Sequence, residues 1–315
     1  MQKRFQENDI MKTIILSTIL SIFVNICLAQ TIPDGSYFGQ TPPGDSAVIF
    51  APGIISLTDR LEGNITFSPD GNECFFTVHG LKYSTYKIYH TKRENNIWTP
   101  QVEAPFFAGQ KNSNPFFSVD GNTLYFDSQI NSATSKRDIF MVHRTSQGWS
   151  NPQILPSPIN SVYHDAAYSE TSDGIGYFTS DRPGGQGYDI WCTHKTNGQP
   201  IQVANLGTKV NSPSYDYSSC VAPDGSFLIF TSIRSGGPDL YVTFSNGNGG
   251  WTIPVNMKII NTDAEESDPS LSPDGRYLFF TRGHGGVEPQ DIYWVSTGII
   301  EKLKAEALKE LRLKQ

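Results

Sequence analysis

Phe67-Ser68-Pro69-Asp70-Gly71, followed at once by the strand-forming run Cys74-Phe75-Phe76, is the first statement of a phrase that this chain makes five times. The phrase is Ser/Ala/Thr-x-Asp-Gly and then an aromatic strand. Its Asp-Gly pairs are Asp70-Gly71, Asp120-Gly121, Asp173-Gly174, Asp224-Gly225 and Asp274-Gly275. A repeat of roughly fifty residues in which each unit carries the same turn reads as a ring or stack of small sheets. We therefore expect an all-β chain built as a β-propeller.

Aligning the units assigns each position a task. After the turn comes a fixed aromatic, Phe76, Phe126, Phe178, Phe230 or Phe280, with Cys74, Leu124, Leu228 and Leu278 two residues earlier in four of the units. A period of two puts both on one face of a strand. The next strand carries an aliphatic-aromatic pair: Ile88-Tyr89, Ile139-Phe140, Ile190-Trp191, Leu240-Tyr241 and Ile292-Tyr293. Both members are apolar because each side of a blade meets a neighbouring blade. Trp98, Trp149 and Trp251, just before Pro100, Pro152 and Pro254, mark an outer strand that proline blunts against edge pairing.

The fifth unit runs out of repeat after Val295-Ser296, with no outer strand of its own. Residues 46 to 52 resemble the outer strand of another unit and are expected to complete the last blade. That gives five four-stranded blades over residues 46 to 297, closed by an N-terminal strand, with residues 30 to 45 as an extension. Ile299, Ile300, Leu303, Ala307, Leu308 and Leu311 recur at helical spacing, so residues 298 to 315 predict one amphipathic helix.

Lys3, Arg4 and Lys12 precede an apolar run from Thr13 to Ile26, and Cys27-Leu28-Ala29 has small residues where a signal peptidase reads. Residues 1 to 29 are expected to be a signal peptide cleaved after Ala29, with Met11 an alternative start. The apolar run is shorter than the about 20 residues a membrane span needs, and no later segment is apolar enough. We expect export without a transmembrane segment. Removal of residues 1 to 29 takes three basic and two acidic side chains and leaves a net charge of −8. With no Lys/Arg cluster to neutralise phosphates, nucleic acid is not expected as a partner. Cys74, Cys192 and Cys220 read as small core residues, with a Cys192 to Cys220 disulfide as the alternative.

The Ser68-Pro69-Asp70-Gly71 and Ser272-Pro273-Asp274-Gly275 turns, with Phe178-Thr179-Ser180-Asp181-Arg182-Pro183-Gly184-Gly185 running to Tyr188-Asp189-Ile190-Trp191, resemble the TolB-like, WD-repeat-like propeller family. The resemblance covers residues 46 to 296. It implies a periplasmic, cell-surface or secreted module of a Gram-negative envelope that binds protein. The chain departs from the six-bladed TolB pattern with its extra N-terminal domain.

Catalytic signatures are absent from the sequence: no Gly-x-Ser-x-Gly elbow, no His-Glu-x-x-His, no phosphate loop, no paired-cysteine metal spacing. No catalytic residue, cofactor or metal ligand is assigned. Two constellations remain. Polar residues lie just ahead of each innermost strand: Glu62 and Asn64, Asn112 and Asn114, Asp165, Asp216, and Asp268. In a propeller these positions gather at the channel mouth, where they would hold a ligand, or Ca²⁺ through carboxylate oxygens, or else cap their own turns. Arg182, Arg234 and Arg282 each follow the aromatic strand and are expected to pair with Asp189, Asp239 and Asp291 within their blades; His284, in a Gly-rich turn, is a further candidate ligand residue.

The reading that follows is an exported, non-enzymatic propeller that binds an envelope protein or glycan at its channel mouth. The rivals are a carbohydrate-active enzyme, which would need two of Glu62, Asp165, Asp216 and Asp268 about 5 to 9.5 Å apart, and a structural part of an envelope complex.

Overall fold

The computed structural model describes residues 35–106, 110–130, 136–194, 201–286 and 289–313, with side chains of the last helix described to residue 305. The expected leader and its cleavage site lie outside the described residues. Five antiparallel sheets form five blades, each ordered from the channel outward. Blade one runs Leu61–Phe67, Glu73–His79, Tyr86–Glu94 and an outer strand split into Ile97–Trp98 and Val102–Glu103. Blade two runs Lys111–Phe117, Thr123–Gln129 and Asp138–Thr145, with a similarly split edge, Gly148–Trp149 and Gln153–Ile154. Asp165–Glu170, Gly176–Ser180, Asp189–His194 and Gln202–Asn205 make blade three, and Asp216–Val221, Phe227–Ser232, Asp239–Phe244 and Val255–Asn256 make blade four.

Blade five takes Glu265–Leu271, Tyr277–Gly283 and Asp291–Ser296 from the C-terminal side, and Val48–Ile49 as its outer strand. Val48 pairs with Trp294 and Ile49 with Tyr293, and the Phe50 N–H donates to the Ile292 carbonyl at 2.7 Å. The ring is therefore sealed by the segment that the sequence assigned to it. The inner strand of blade one packs on blade five, so the two ends of the repeat meet.

The repeated phrase is a turn closed by its own side chains. In Ser68-Pro69-Asp70-Gly71 the Ser68 hydroxyl donates to Asp70 at 2.5 Å and accepts the Glu73 N–H at 2.9 Å, while Asp70 accepts the Asn72 N–H at 3.0 Å. The glycine sits at φ +68°, in the left-handed region. Ser118-Asp120 and Ser272-Asp274 repeat the hydroxyl-carboxylate bond at 2.6 and 2.7 Å. Gly121 adds a second constraint: at φ +71°, a Cβ there would lie 2.6 Å from Cδ of Pro69 in the neighbouring turn, whereas one on Gly71 meets nothing within 4 Å. We expect Gly71→Ala to cost about 1–2 kcal/mol from the left-handed conformation and Gly121→Ala distinctly more. Urea denaturation of both variants checks this, and equal losses would show that the two turns do not constrain each other.

Above each turn the fixed aromatic lies directly across from the aromatic of the next strand. Phe76 faces Tyr89, Phe126 faces Phe140, Phe178 faces Trp191, Phe230 faces Tyr241 and Phe280 faces Tyr293. All five phenylalanines are buried. Each of these layers is the apolar wall between neighbouring blades. The C-terminal helix, Gly298–Leu313, adds Ile299, Ile300 and Leu303 to a cluster holding Phe244, Met257, Ile260 and Val295, across blades four and five. Cys74, Cys192 and Cys220 are buried free thiols, so the Cys192 to Cys220 disulfide is not formed. Among the described residues no helix is long and apolar enough to cross a membrane.

Each inner strand carries a bulge near its start, seen as a register shift between Glu62 and Ile65, Ser113 and Phe116, Ala166 and Ser169, Tyr217 and Cys220, and Ser267 and Ser270. In four blades the bulged residue has positive φ: Asn114, Ala167, Ser218 and Asp268. Bulges re-aim side chains and concentrate at rims and sites. Here they turn one residue per blade toward the axis.

Candidate functional site

The polar residues ahead of the inner strands separate into two layers. Glu62, Asn112, Asp165, Asp216 and Glu266 occupy equivalent positions and are buried. Arg182 pairs with Asp165, Arg234 with Asp216 at 2.5 Å, Arg282 with Glu266 at 2.7 Å, and Arg60 with Glu62 at 2.6 Å. Each guanidinium also lies over its blade's aromatic pair, as Arg282 does at 4.4 Å from the Tyr293 ring. The expected partners Asp189, Asp239 and Asp291 are not the ones used. Asp189 instead accepts from Gln186 N–H and Asn205 Nδ2. The reason is strand order: the arginine at the end of the second strand faces the start of the inner strand, on the side away from the third.

These carboxylates are held further by Ser161, Ser212 and Thr262, whose hydroxyls donate to Asp165, Asp216 and Glu266 at 2.6 to 2.8 Å. Blade two lacks the arginine and has Asn112 in place of the acid, donating to the Phe106 carbonyl at 2.7 Å. Charge and counter-charge disappear from that blade together. Glu62 is the exception among the acids: Oε2 has no partner, and burial pushes its carboxyl up to about 8 although Arg60 opposes the shift.

The second layer faces the axis. A cavity of about 460 Å³ opens at this end of the channel, and all five blades line it. Asn114 and Asp268 reach it. Glu62, Asp165, Asp216, Asn112 and His284 are not among its lining residues, and Asn64 lines the narrow throat beneath it, where its Oδ1 has no hydrogen-bond partner. The structure thus brings together two of the residues singled out from the sequence and separates the rest. His284 lies in an exposed turn of blade five.

What fills the wall instead is aromatic. Tyr83 and Tyr86 of blade one, Tyr188 of blade three, and Tyr215 and Tyr217 of blade four all line the cavity, with His79 and His164. His79 stands edge-on to Tyr83 and Tyr86 at 5.4 and 4.8 Å, and Tyr188 edge-on to Tyr215 at 5.3 Å. The residues flanking three of the buried acids supply much of this wall: His164 and Ala166 bracket Asp165, Tyr215 and Tyr217 bracket Asp216, and Glu265 and Ser267 bracket Glu266. Alternation along a strand sends neighbours to opposite faces. The signal was present one residue to either side of the acids.

Arg137 is the cation of the wall. It pairs with the buried Asp127, donates to Ser113, and lies 4.3 Å over the Tyr86 ring. Asp127 stands where the other blades have Thr77, Thr179, Thr231 and Thr281, a substitution that gives blade two its own ion pair at the mouth. Asp268 accepts from the Ser218 hydroxyl at 2.8 Å, and burial, followed by the Asp127 charge, raises its pKa. Burial pushes the His79 imidazole down to about 3, so that ring is neutral at ordinary pH. Among the described residues no three His, Cys, Asp or Glu side chains converge on a common metal position.

No family model matches the chain, and no curated protein matches its sequence. Among solved structures it is similar to a protein described as TolB from Agrobacterium tumefaciens, with 16% identity over 72% of this chain and 71% of the other, at a TM-score of 0.49. It is also similar to an α-L-arabinofuranosidase from Lactobacillus brevis, at 12% identity, 76% and 91% coverage and a TM-score of 0.51. A thermostable family-43 glycoside hydrolase gives 9% identity, 76% and 90% coverage and 0.50. Identities of this size speak to fold alone. The chain has a β-propeller frame of the kind found in the arabinofuranosidase and the family-43 glycoside hydrolase.

Proposed function

We propose that the protein is an exported binding module that takes the end of a glycan into its mouth cavity. The observation that carries this reading is the meeting of five tyrosines from three blades around one open cavity. Tyrosine offers an apolar ring face against which the polarised C–H face of a sugar packs, and a hydroxyl for its edge. The volume of about 460 Å³ lies inside the roughly 300–1,000 Å³ range of small-ligand sites. Export rests on the reading of residues 1 to 29 as a signal peptide, and the setting in the periplasm or at the cell surface follows from it.

A glycan array probed with the purified protein, paired with capture from envelope extract, tests the reading. Tyr215→Ala and Tyr188→Ala are each expected to weaken binding to an array hit at least ten-fold, about 1.4 kcal/mol. Tyr215 is 49% exposed, so its truncation should leave stability nearly unchanged. Full affinity in both variants, or capture of a protein with no glycan hit, would replace this reading with one in which the partner docks elsewhere.

One observation favours a hydrolase as the second reading. Asp268 and Glu265 line the cavity from one strand, so two carboxyl groups face the same space. Turnover of an array hit that disappears in Asp268→Asn would establish it. Glu62, Asp165 and Asp216 are withdrawn from that role by their arginines.

A further inference from the structure

The charges around the mouth do not balance, and the imbalance has a location. Arg137 is already answered by Asp127, on which its Nη1 rests. Asp268 and Glu265 have no ion-pair partner among the described residues, although both line the cavity. Asp268 is held by the Ser218 hydroxyl, and among the described residues Glu265 accepts the Gly285 N–H alone, at 2.9 Å. Of the charged residues that line the cavity, Arg137 is thus answered by Asp127, with Lys111 also over the Tyr86 ring at 5.6 Å, whereas the two carboxylates on blade five, Asp268 and Glu265, are not answered.

The walls beside those two acids are Tyr83 and Tyr217. Both rings line the same cavity as the two acids, and the charges of Asp268 and then Glu265 add to burial in raising both phenols. Tyr83 donates its hydroxyl to Gln290 at 3.0 Å, which leaves its ring as the surface toward the cavity. His79, nine-tenths buried in the same wall, has an Nδ1 without a hydrogen-bond partner. A cation against tyrosine faces is attracted by the ring quadrupole, more strongly where water is excluded. Uncompensated carboxylates in a partly buried cavity are costly unless a counter-charge arrives.

We propose that the glycan taken by this cavity ends in an amino sugar with a free amine, seated with its ammonium between Asp268 and Glu265 and its ring against Tyr83 and Tyr217. This rests on the glycan reading given above and deepens it. The amine supplies the counter-charge that the fold withholds, and its N–H groups have two carboxylates as acceptors. An acetylated amine brings bulk and no charge to the same place. Arg137, stacked on Tyr86, is paired with Asp127, and at Asp268 the Asp127 charge raises the pKa more than the Arg137 charge lowers it, so the pair supplies Asp268 with no net counter-charge.

The probes are a trimer of glucosamine and a trimer of N-acetylglucosamine, titrated into the full-length mature protein by calorimetry at slightly acidic pH, where the amines are charged. The glucosamine trimer is expected to bind at least ten-fold more tightly, and to lose at least ten-fold in both Asp268→Asn and Glu265→Gln. Two variants are used so that a folding defect in one leaves the other to report. Added salt should weaken the glucosamine trimer more than any binding of the acetylated one. Equal affinity for both trimers, or preference for the acetylated one, overturns the amine assignment and leaves the glycan cavity standing. If neither trimer binds while other glycans on the array do, the amine assignment also falls. Absence of any glycan binding removes both.

Discussion

Asp165→Ala is expected to lower the unfolding free energy by about 3–5 kcal/mol, the range for removing one partner of a buried ion pair. Asp165 is fully buried, and Arg182 has little exposure of its own. The guanidinium also donates to the carbonyls of Pro158 and Ile159 at 2.8 and 2.6 Å, while Ser161 donates through both N–H and hydroxyl to the other carboxylate oxygen at 2.7 Å. One acid therefore ties the second strand of blade three to the connector arriving from blade two. Losing it strands a cation between Phe178 and Trp191, whose faces are 5.0 and 5.3 Å away and attract the charge but do not neutralise it. Denaturant unfolding followed by tryptophan fluorescence measures the loss. The double replacement Asp165→Leu with Arg182→Leu is expected to recover most of it, because removing both charges removes the unpaired one. A loss below about 1 kcal/mol in the single variant would show that solvent reaches Arg182 and that the pair is ornamental.

The same pair shows how far the chain could be read unaided. Asp70-Gly71 and its four repeats give the turn directly, because a left-handed glycine after an aspartate that caps its own loop is a local matter decided within four residues. The aliphatic-aromatic pairs give the blade walls for a similar reason, since their period matches the strand. Arg182 was legible as an ion-pair partner and assigned to the wrong acid. Proximity in sequence points to Asp189, whereas strand order sets the arginine against Asp165, and only the assembled sheet makes that visible. The mouth was harder. Tyr86, Arg137, Tyr188, Pro238 and Gln290 occupy one equivalent position, at the start of the third strand, where four residue types serve five blades and only tyrosine occurs twice. A repeat displays what every blade needs for folding, so the positions that differ from blade to blade are where a ligand is chosen, and alignment of the units averages them away. Asn160, Asn211 and Asn261 show the converse. They recur at one spacing and bind the backbone of Ile139, Ile190 and Leu240 at 2.8 to 3.0 Å, a structural repeat that the turn phrase overshadowed.

Phe50→Ala is expected to cost about 3–5 kcal/mol, as for a large aromatic removed from a core, and to do so by opening the ring at its seam. The closing strand is only two residues long, Val48–Ile49, so its backbone pairing with blade five is slight. The apolar side chain behind it must supply the rest. Phe50 is fully buried and meets Phe279 at 5.0 Å, Trp294 at 5.2 Å, Phe38 at 5.9 Å and Phe67 at 6.0 Å, so it touches blade five, blade one and the N-terminal extension together. Phe38 then stacks on Trp98 of blade one at 4.2 Å, and the Trp98 indole donates to the Gly35 carbonyl at 2.9 Å. The extension is thus a second clamp across the same joint. Hydrogen exchange distinguishes seam opening from a uniform loss of stability. In Phe50→Ala the amides of Phe50, Trp294 and Ser296 should lose protection first, while those of blade three, opposite the seam, keep theirs until global unfolding. Uniform loss of protection around the ring would mean that the five blades unfold as one unit, with closure resting on no single joint.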